Sequence, residues 1–415
     1  MIGLWAGRHY YELRRFGMSE ITILHVSDLH MTQGHLIDIK IILRALYDDL
    51  EELRDREFVK PDIVVFTGDL VNAGSNVGEF DLAVSEFIDP LMYTLGLPRD
   101  LFFSVAGNHD IDKDKLPKFI ANGIRATYNT TTDLNGFLDD LDLKSDSSYF
   151  ENSYNFRILR DCLNKKHQQE ANKLFSAYKV NIRGMDIGIG CLNSAWLASG
   201  SEGGFDKGKL LVGERQVDRV LDKIASCNVK IALMHHPLDW LAEFDREDVD
   251  NRLMKEFSLF LTGHMHQNKP RMIQNAIGSF FHSDGGTLFN GDRKSYQGYT
   301  IIKTGYDKIG VYFRRYIDNA SRFDKDVDRA PDGYWEITFA SKKSSRSVTN
   351  VAPKSFDIDT LIKSMLDDMQ SQLKVSFYVS LTCANDISIR QSAIDLETSK
   401  KFNLYLKYIA ETTSD

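Results

Sequence analysis

ITILHVSDLH, residues 21–30, is the stretch that sets the fold. A short apolar run, rich in β-branched side chains, stops at Ser27, Asp28 and His30. A run of that length and composition reads as a buried strand. The same grammar returns in DIVVFTGDL (62–70) and LFFSVAGNHD (101–110). Between the first two, Leu36, Ile39, Leu43, Leu46, Leu50 and Leu53 recur at helical spacing over residues 35–57, and a second helical pattern covers about 79–95. Strand, helix, strand, helix, strand is the pattern of a layered α/β domain. Each polar motif then falls at the carboxyl end of its strand, the rim where α/β sheets gather ligands.

Further along, residues 112–183 read as an insertion or cap, mainly helical and lying over the sheet edge. Residues 133–151 are mostly acidic, whereas 157–183 carry Arg157, Arg160, Lys165, Lys166, Lys173, Lys179 and Arg183. The favoured reading is a solvated helical face; the sharper one is a cap that grips substrate. Next come the hairpin VNIRGMDIGIGCLN, helices near 213–226 and 246–256, and the strands KIALM and SLFLT, which again end in motifs, MHHP and TGHMH. Residues 270–340 read as further strands, so the expected α/β fold is two mixed β-sheets packed as a sandwich and flanked by helices. Residues 1–20 are expected to be an extension whose first 17 residues add nothing to the core. The main domain runs over 21–340, a basic linker over 341–354, and a C-terminal α/β tail module over 355–415. The tail shows a helical pattern (Ile358, Leu361, Ile362, Met365, Leu366, Met369), then the strand-like KVSFYVSL and another helix. It is expected to bind a protein partner or a second copy.

Hydrophobic residues at 42% and charged residues at 27% place the chain among ordinary globular proteins. Its longest apolar runs, such as IVVF and IALM, are too short to span a bilayer, so no membrane role is expected. Cys162, Cys191, Cys227 and Cys383 form no CxxC, which argues against a disulfide scaffold or a thiolate zinc site and for a reducing, cytoplasmic compartment. A net charge of -8 argues against a generally nucleic-acid-binding surface and leaves room only for a local basic groove.

Six of the eleven histidines fall in four motifs that directly follow predicted strands: His30, His109, His235, His236, His264 and His266. Asp28 and His30, like His264 and His266, are two apart, a spacing that puts both side chains on one face of an extended chain. Gly68 precedes Asp69 and Gly107 precedes Asn108, and glycine is expected there for a sharp backbone turn. Carboxylates and imidazoles without thiolates suit Mn, Fe, Zn, Co or Ni. The set is too large for one ion, whereas two ions sharing a carboxylate, about 3.5–4 Å apart, would use it fully.

The ordered set D-x-H, GD, GNHD, HHP and GHxH resembles the calcineurin-like metallophosphoesterase superfamily over about residues 21–317. The resemblance implies that Asp28, His30 and His266 hold a first metal, that Asp69 bridges, and that Asn108, His235 and His264 hold a second. It implies two divalent ions, with manganese the leading expectation and Fe, Zn, Ni, Co or Mg as alternatives. It further implies that a bridging water or hydroxide attacks phosphorus in line. His109 is then no ligand but the general acid, or phosphate-contacting residue, and Asp69 joins it in the catalytic set. Asp110 is expected either to orient His109 or to cap a turn. His236 is placed behind the ligands or against substrate. Asn193 and Trp196, in LNSAW, are rim positions, with packing the expected work of the tryptophan. His25 reads as a core histidine and His282 as structural rather than pocket-lining. GGTLFNGDRKS (285–295) lacks the order of a Walker A loop.

Arginine-bearing motifs of the superfamily's protein serine/threonine phosphatases have no counterpart in GDLVNAG and GNHDID. The expected activity is therefore that of a phosphodiesterase hydrolysing a nucleotide or related phosphodiester. One alternative is a DNA nuclease resembling double-strand-break repair nucleases and working with a partner ATPase. The other is a non-catalytic scaffold with a partner-binding tail.

Overall fold

ITILHV forms β1 (Ile21–Val26) in the computed structural model, which describes residues 20–143, 148–199, 205–305, 308–338, 378–381 and 387–390. The chain divides into two compact units, Met1–Ser341 and Lys342–Asp415. In the first unit β1 is followed by α1 (Leu36–Arg56), β2 (Ile63–Phe66), α2 (Val77–Ala83) and α3 (Asp89–Leu95), and then β3 (Phe102–Ser104). A π turn, Val84–Ile88, joins α2 to α3, so the two run on as one helix. The apolar positions of α1 at three- and four-residue spacing (Ile39, Ile42, Leu43, Leu46, Leu50, Leu53) are the buried ones. That is the face an amphipathic helix must cover.

Helices α4 (Lys118–Thr127), α5 (Thr131–Leu143) and α6 (Tyr154–Leu163) make up the insertion. The expected helical stretch ends early. Residues within 168–183 form β4 (Gln168–Ala171) and β5 (Phe175–Ile182), two strands of the second sheet. Strand β5 turns through Arg183–Gly184, both at positive φ, into β6 (Met185–Leu192), the foreseen hairpin. The basic residues of this stretch are partly structural. Arg160 is buried and bonds Asp161 and the carbonyl of Asn172, and Arg183 pairs with Asp62 at 2.6 Å.

Next come α7 (Glu214–Ile224), β7 (Val229–Leu233), α8 (Glu243–Glu256), β8 (Leu259–Thr262), β9 (Arg271–Gln274) and β10 (Ser279–Asp284). The unit closes with β11 (Gly298–Thr304), β12 (Lys308–Ile317), β13 (Arg322–Lys325) and β14 (Tyr334–Thr338). One sheet runs β13-β12-β11-β1-β2-β3, with β14 also on β12; the other runs β4-β5-β6-β7-β8-β10-β9. Pairing is parallel through β1-β2-β3 and through β6-β7-β8-β10, and antiparallel outside, so both sheets are mixed.

Alternate residues of the central strands serve two cores. Ile23, Val65 and Phe103 of one sheet join Ile189, Ile231 and Leu261 of the other in a cluster between the sheets. Leu24, Val26, Val64 and Phe66 join the helices on the outer side. Burial on both faces explains why these strands read as unbroken apolar runs, and each such side chain contributes about 1.5–3 kcal/mol. One buried polar knot sits within this packing. Asp49 of α1 accepts from Arg314 Nε at 2.8 Å and from the hydroxyl of Tyr299, tying the helix to β12 and β11.

In the second unit, β15 (Tyr378–Leu381) and β16 (Ile387–Arg390) form an antiparallel pair. Strand β16 lies where the sequence reading placed no strand. The N-terminal extension up to residue 19, the linker 341–354, and the helical patterns expected on either side of KVSFYVSL fall outside the described residues.

Candidate metal centre

The parallel strands end on one rim, and the motifs follow them there: Asp28 and His30 after β1, Asp69 after β2, Asn108 and His109 after β3, His235 and His236 after β7, His264 and His266 after β8. Their side chains converge. Four sets of three have ligand atoms mutually within 4.8 Å: Asp28, His30 and His266; Asp28, Asp69 and His235; His30, Asp69 and His109; His235, His236 and His264. Asp69 thus reaches both halves. His235 Nε2 lies 3.3 Å from Asp69 Oδ2, 3.2 Å from Asn108 Oδ1 and 3.2 Å from His264 Nδ1. His266 Nε2 lies 3.2 Å from Asp28 Oδ1.

The backbone is bent hard to do this. Nine non-glycine residues among those described have positive φ, and five of them are Asp28, His30, Asp69, His264 and His266. Such left-handed residues cost about 1–3 kcal/mol each and persist where the surroundings over-determine them. The glycines before the motifs serve close approach as well as turning. A Cβ on Gly107 would sit 2.1 Å from Asp69 Oδ1, and one on Gly263 would sit 2.2 Å from Ser27 Oγ. Neither glycine has the left-handed φ that a turn requirement alone would give.

Partners outside the converging atoms set the tautomers. His235 Nδ1 donates to the carbonyl of Thr67 at 2.7 Å, which leaves Nε2 as the lone-pair nitrogen facing Asp69 and Asn108. His109 Nδ1 donates to the carbonyl of Asn72 at 2.9 Å, while its backbone N–H donates to Asp69 Oδ1 at 2.8 Å. The His109 ring stands edge-on to His30, centroids 4.6 Å apart. Its free nitrogen, Nε2, is the atom available to carry a proton. Asp110 does not reach that ring. Its Oδ1 accepts from Val71 N and its Oδ2 from Gly107 N, so it holds the two loops together. Burial, then the nearby Asp69 charge, pushes the Asp110 carboxyl up to about 7.

His236 is fully inside, and its Nδ1 sits 2.9 Å from Ser194 Oγ. Burial, then the neighbouring imidazoles, keeps it neutral. Asn193 is spent locally, bonding Ala195 N, Gln216 and the carbonyl of Lys173. Trp196 is buried, its indole donating to the carbonyl of Leu211 at 2.6 Å. His25 is buried on Thr67 Oγ1. Sequence reasoning missed four participants: the carbonyls of Thr67 and Asn72, Ser194, and Trp240, whose ring lies 4.1 Å from that of His264. Only Ser194, inside LNSAW, had a sequence signal; a carbonyl carries none.

The electrostatics favour a cation. Burial lowers His30 and His264 to about 4, so both present neutral, lone-pair nitrogens. Burial opposes charge on Asp28 and Asp69, yet the surrounding imidazoles hold both carboxyls below their ordinary range. Burial also opposes charge on His235, but Asp69 outweighs it and raises the imidazole to about 9, so a positive charge at Nε2, a proton or a cation taking its place, is favoured beside Asp69. His30 Nε2 is buried without a hydrogen-bond partner, 4.0 Å from Asp28 Oδ1, whose one close neighbour among the described residues is His266 Nε2 at 3.2 Å. A buried lone-pair nitrogen left unsatisfied beside a carboxylate is costly unless a cation joins them. The oxygen and nitrogen donor set therefore fits divalent ions.

A family model described as calcineurin-like phosphoesterase matches residues 21–268. A curated relative from Bacillus subtilis (strain 168), the uncharacterized metallophosphoesterase-like protein YydB, is 26% identical over 265 residues, 62% of this chain and 51% of that protein. Among solved structures, a purple acid phosphatase from yellow lupin (Lupinus luteus) seeds matches 80% of this chain and 57% of its own, at 14% identity and a TM-score of 0.45. The sulfate thiohydrolase SoxB of Thermus thermophilus matches 85% and 61%, at 11% identity and a TM-score of 0.37. The chain spans about half the length of the curated relative and under two thirds of these two structures. None of the helices in the described residues is long and apolar enough to cross a membrane.

Proposed function

We propose, from the premise that the chain belongs to the calcineurin-like phosphoesterase family, that it hydrolyses a phosphodiester of nucleotide type at a two-ion centre. The observation that carries this reading is the two-lobed set itself. Asp28, His30 and His266 gather on one side and His235 and His264 on the other, with Asp69 in reach of both. Asn108 Oδ1 adds a neutral oxygen beside His235. Manganese is the leading choice for the ions, with Fe, Zn, Ni, Co and Mg as alternatives. When bound, two such ions lower the pKa of water and neutralise charge on phosphate oxygens.

The chain's own residues supply the rest. Asp69 is held by the His109 backbone N–H and placed between the two halves. His109 is fixed through Nδ1 on the Asn72 carbonyl, so its Nε2 can give a proton to a departing alkoxide. Its ring stands edge-on to His30, and its nitrogen lies within reach of His30 and Asp69, close enough to serve the proposed centre as a proton carrier.

The nuclease alternative needs a basic groove, and Arg160 and Arg183 of the basic stretch are engaged in holding the fold. That weighs towards a small diester. The scaffold alternative has no use for buried, unsatisfied ligand atoms. Protein association is assigned to residues 355–415. The deciding assay uses the full chain with Mn²⁺ on bis-p-nitrophenyl phosphate, p-nitrophenyl phosphate, cyclic nucleotides, and single- and double-stranded DNA. Turnover of small diesters supports the proposal; DNA cleavage without it supports the nuclease; activity on nothing after metal reconstitution supports the scaffold.

A further inference from the structure

A cleft of about 430 Å³ lies between α8 and the strands β8, β9 and β10 of the second sheet. That is within the range of small-molecule sites, about 300–1,000 Å³. Its walls are interleaved with the ligand motifs. Pro237 and Leu238 directly follow His235 and His236, and Met265 lies between His264 and His266. The wall of the cleft thus follows directly, in sequence, from the residues that would hold the scissile phosphate.

The lining is of three kinds. Pro237, Leu238, Phe260, Met265 and Ile273 give apolar surface. Arg246 of α8 and Lys269, before β9, are exposed cations, with Asp250 and Asp284 the carboxylates that feel their charge, whereas Asp239 on the same wall is taken up by Lys207 at 3.0 Å. The third kind is one acceptor that lacks a donor. Asp250 Oδ1 is buried, lines the cleft and has no hydrogen-bond partner. On the floor, Arg271 Nε donates to His282 Nδ1 at 3.1 Å, which makes His282 a neutral ring whose Nε2 faces Thr262 Oγ1 at 3.1 Å. Thr262 in turn donates to Asp284 Oδ1 at 2.8 Å. His282 thus proves both structural and part of the cleft, and the floor is rigid.

We propose that this cleft binds the nucleoside phosphate part of the substrate next to the scissile bond. Its phosphate lies towards Lys269 and Arg246, its ring against Leu238 and Met265, and a base amino or ribose hydroxyl towards Asp250. The proposal rests on the nucleotide-diester reading above and narrows it. A ligand that is anionic at one end, apolar in the middle and a hydrogen-bond donor elsewhere is what these three kinds of lining ask for together. A simple anion would leave the apolar wall and Asp250 unused.

The probe is AMP, measured by titration calorimetry on the full chain with EDTA present, so that metal-held phosphate does not contribute. Saturable binding is expected. Lys269→Glu and Arg246→Glu should each weaken it about 10- to 100-fold, the usual worth of a hydrogen bond to a charged group. Both residues are on the surface, and unchanged thermal unfolding checks the fold. No saturable binding, binding indifferent to both variants, or inorganic phosphate competing as well as AMP overturns the proposal. Hydrolysis of bis-p-nitrophenyl phosphate with Mn²⁺ tests the underlying activity separately. Turnover without AMP binding defeats the cleft alone, and AMP binding without turnover defeats the phosphodiesterase reading.

Discussion

His109→Ala separates proton donation from metal holding. The substitution removes the imidazole but keeps the backbone N–H that donates to Asp69 Oδ1 at 2.8 Å, so the shared carboxylate stays in place. Two of the other proposed ligands are held independently of the His109 ring: His235 is fixed by the Thr67 carbonyl, and the backbone N–H of His264 donates to Asp28 Oδ2 at 3.1 Å. Metal content by elemental analysis should therefore be unchanged. Rate should fall where the leaving group needs a proton. General acid catalysis is worth about 10²–10⁴-fold, or about 3–5 kcal/mol of barrier. A dinucleotide leaves as an alkoxide and should show the whole loss in kcat. Bis-p-nitrophenyl phosphate leaves as a stabilised phenolate and should show little. Equal losses on the two substrates would refute the proton-donor role, and an emptied metal site would show the ring to be a ligand.

Other outcomes follow from the packing. Gly107→Ala puts a methyl group 2.4 Å from the backbone nitrogen of Asp69, and should reduce metal content and activity together, at a stability cost of about 1–3 kcal/mol in thermal unfolding. Asp49→Asn leaves the buried Arg314 charge without its carboxylate and should cost about 3–5 kcal/mol in urea unfolding. His25, held at about 3 by burial, stays neutral in the folded protein while the unfolded chain protonates below about 6.5. Its contribution is intact above that pH and is lost as pH falls towards 3, at up to about 1.4 kcal/mol per unit. His25→Gln keeps a donor near Thr67 but cannot titrate, so the loss of urea stability between pH 7 and 5 should be shallower in the variant.

The central strands and the polar motifs at their ends were legible because each strand is buried on both faces and so announces itself as an apolar run with an abrupt polar end. The strands β4 (QQEA), β9 (RMIQ) and β13 (RFDK) gave no such signal. All three lie at sheet edges, where charged and polar residues are tolerated and even useful against unwanted pairing. That is why residues 168–183 passed for part of a helical insertion. In the site, residue types were readable but partners were not. Asp110 could have faced His109 or the backbone, and only the fold brings Val71 N and Gly107 N to its two oxygens. The Asn72 carbonyl that fixes His109 belongs to every residue type alike, so no reading of side chains could have found it.

The five left-handed residues at Asp28, His30, Asp69, His264 and His266 have a consequence for how this protein changes under selection. At each, glycine or asparagine would relax the backbone, and the gain from a strain of about 1–3 kcal/mol is large against the marginal stability of a domain. Selection for heat resistance alone should therefore erode the ligand set, replacing these side chains with residues that favour the same bend. Variants recovered that way would be firmer proteins with an empty centre. In the proposed two-ion centre, stability and metal holding would pull in opposite directions at the same five positions.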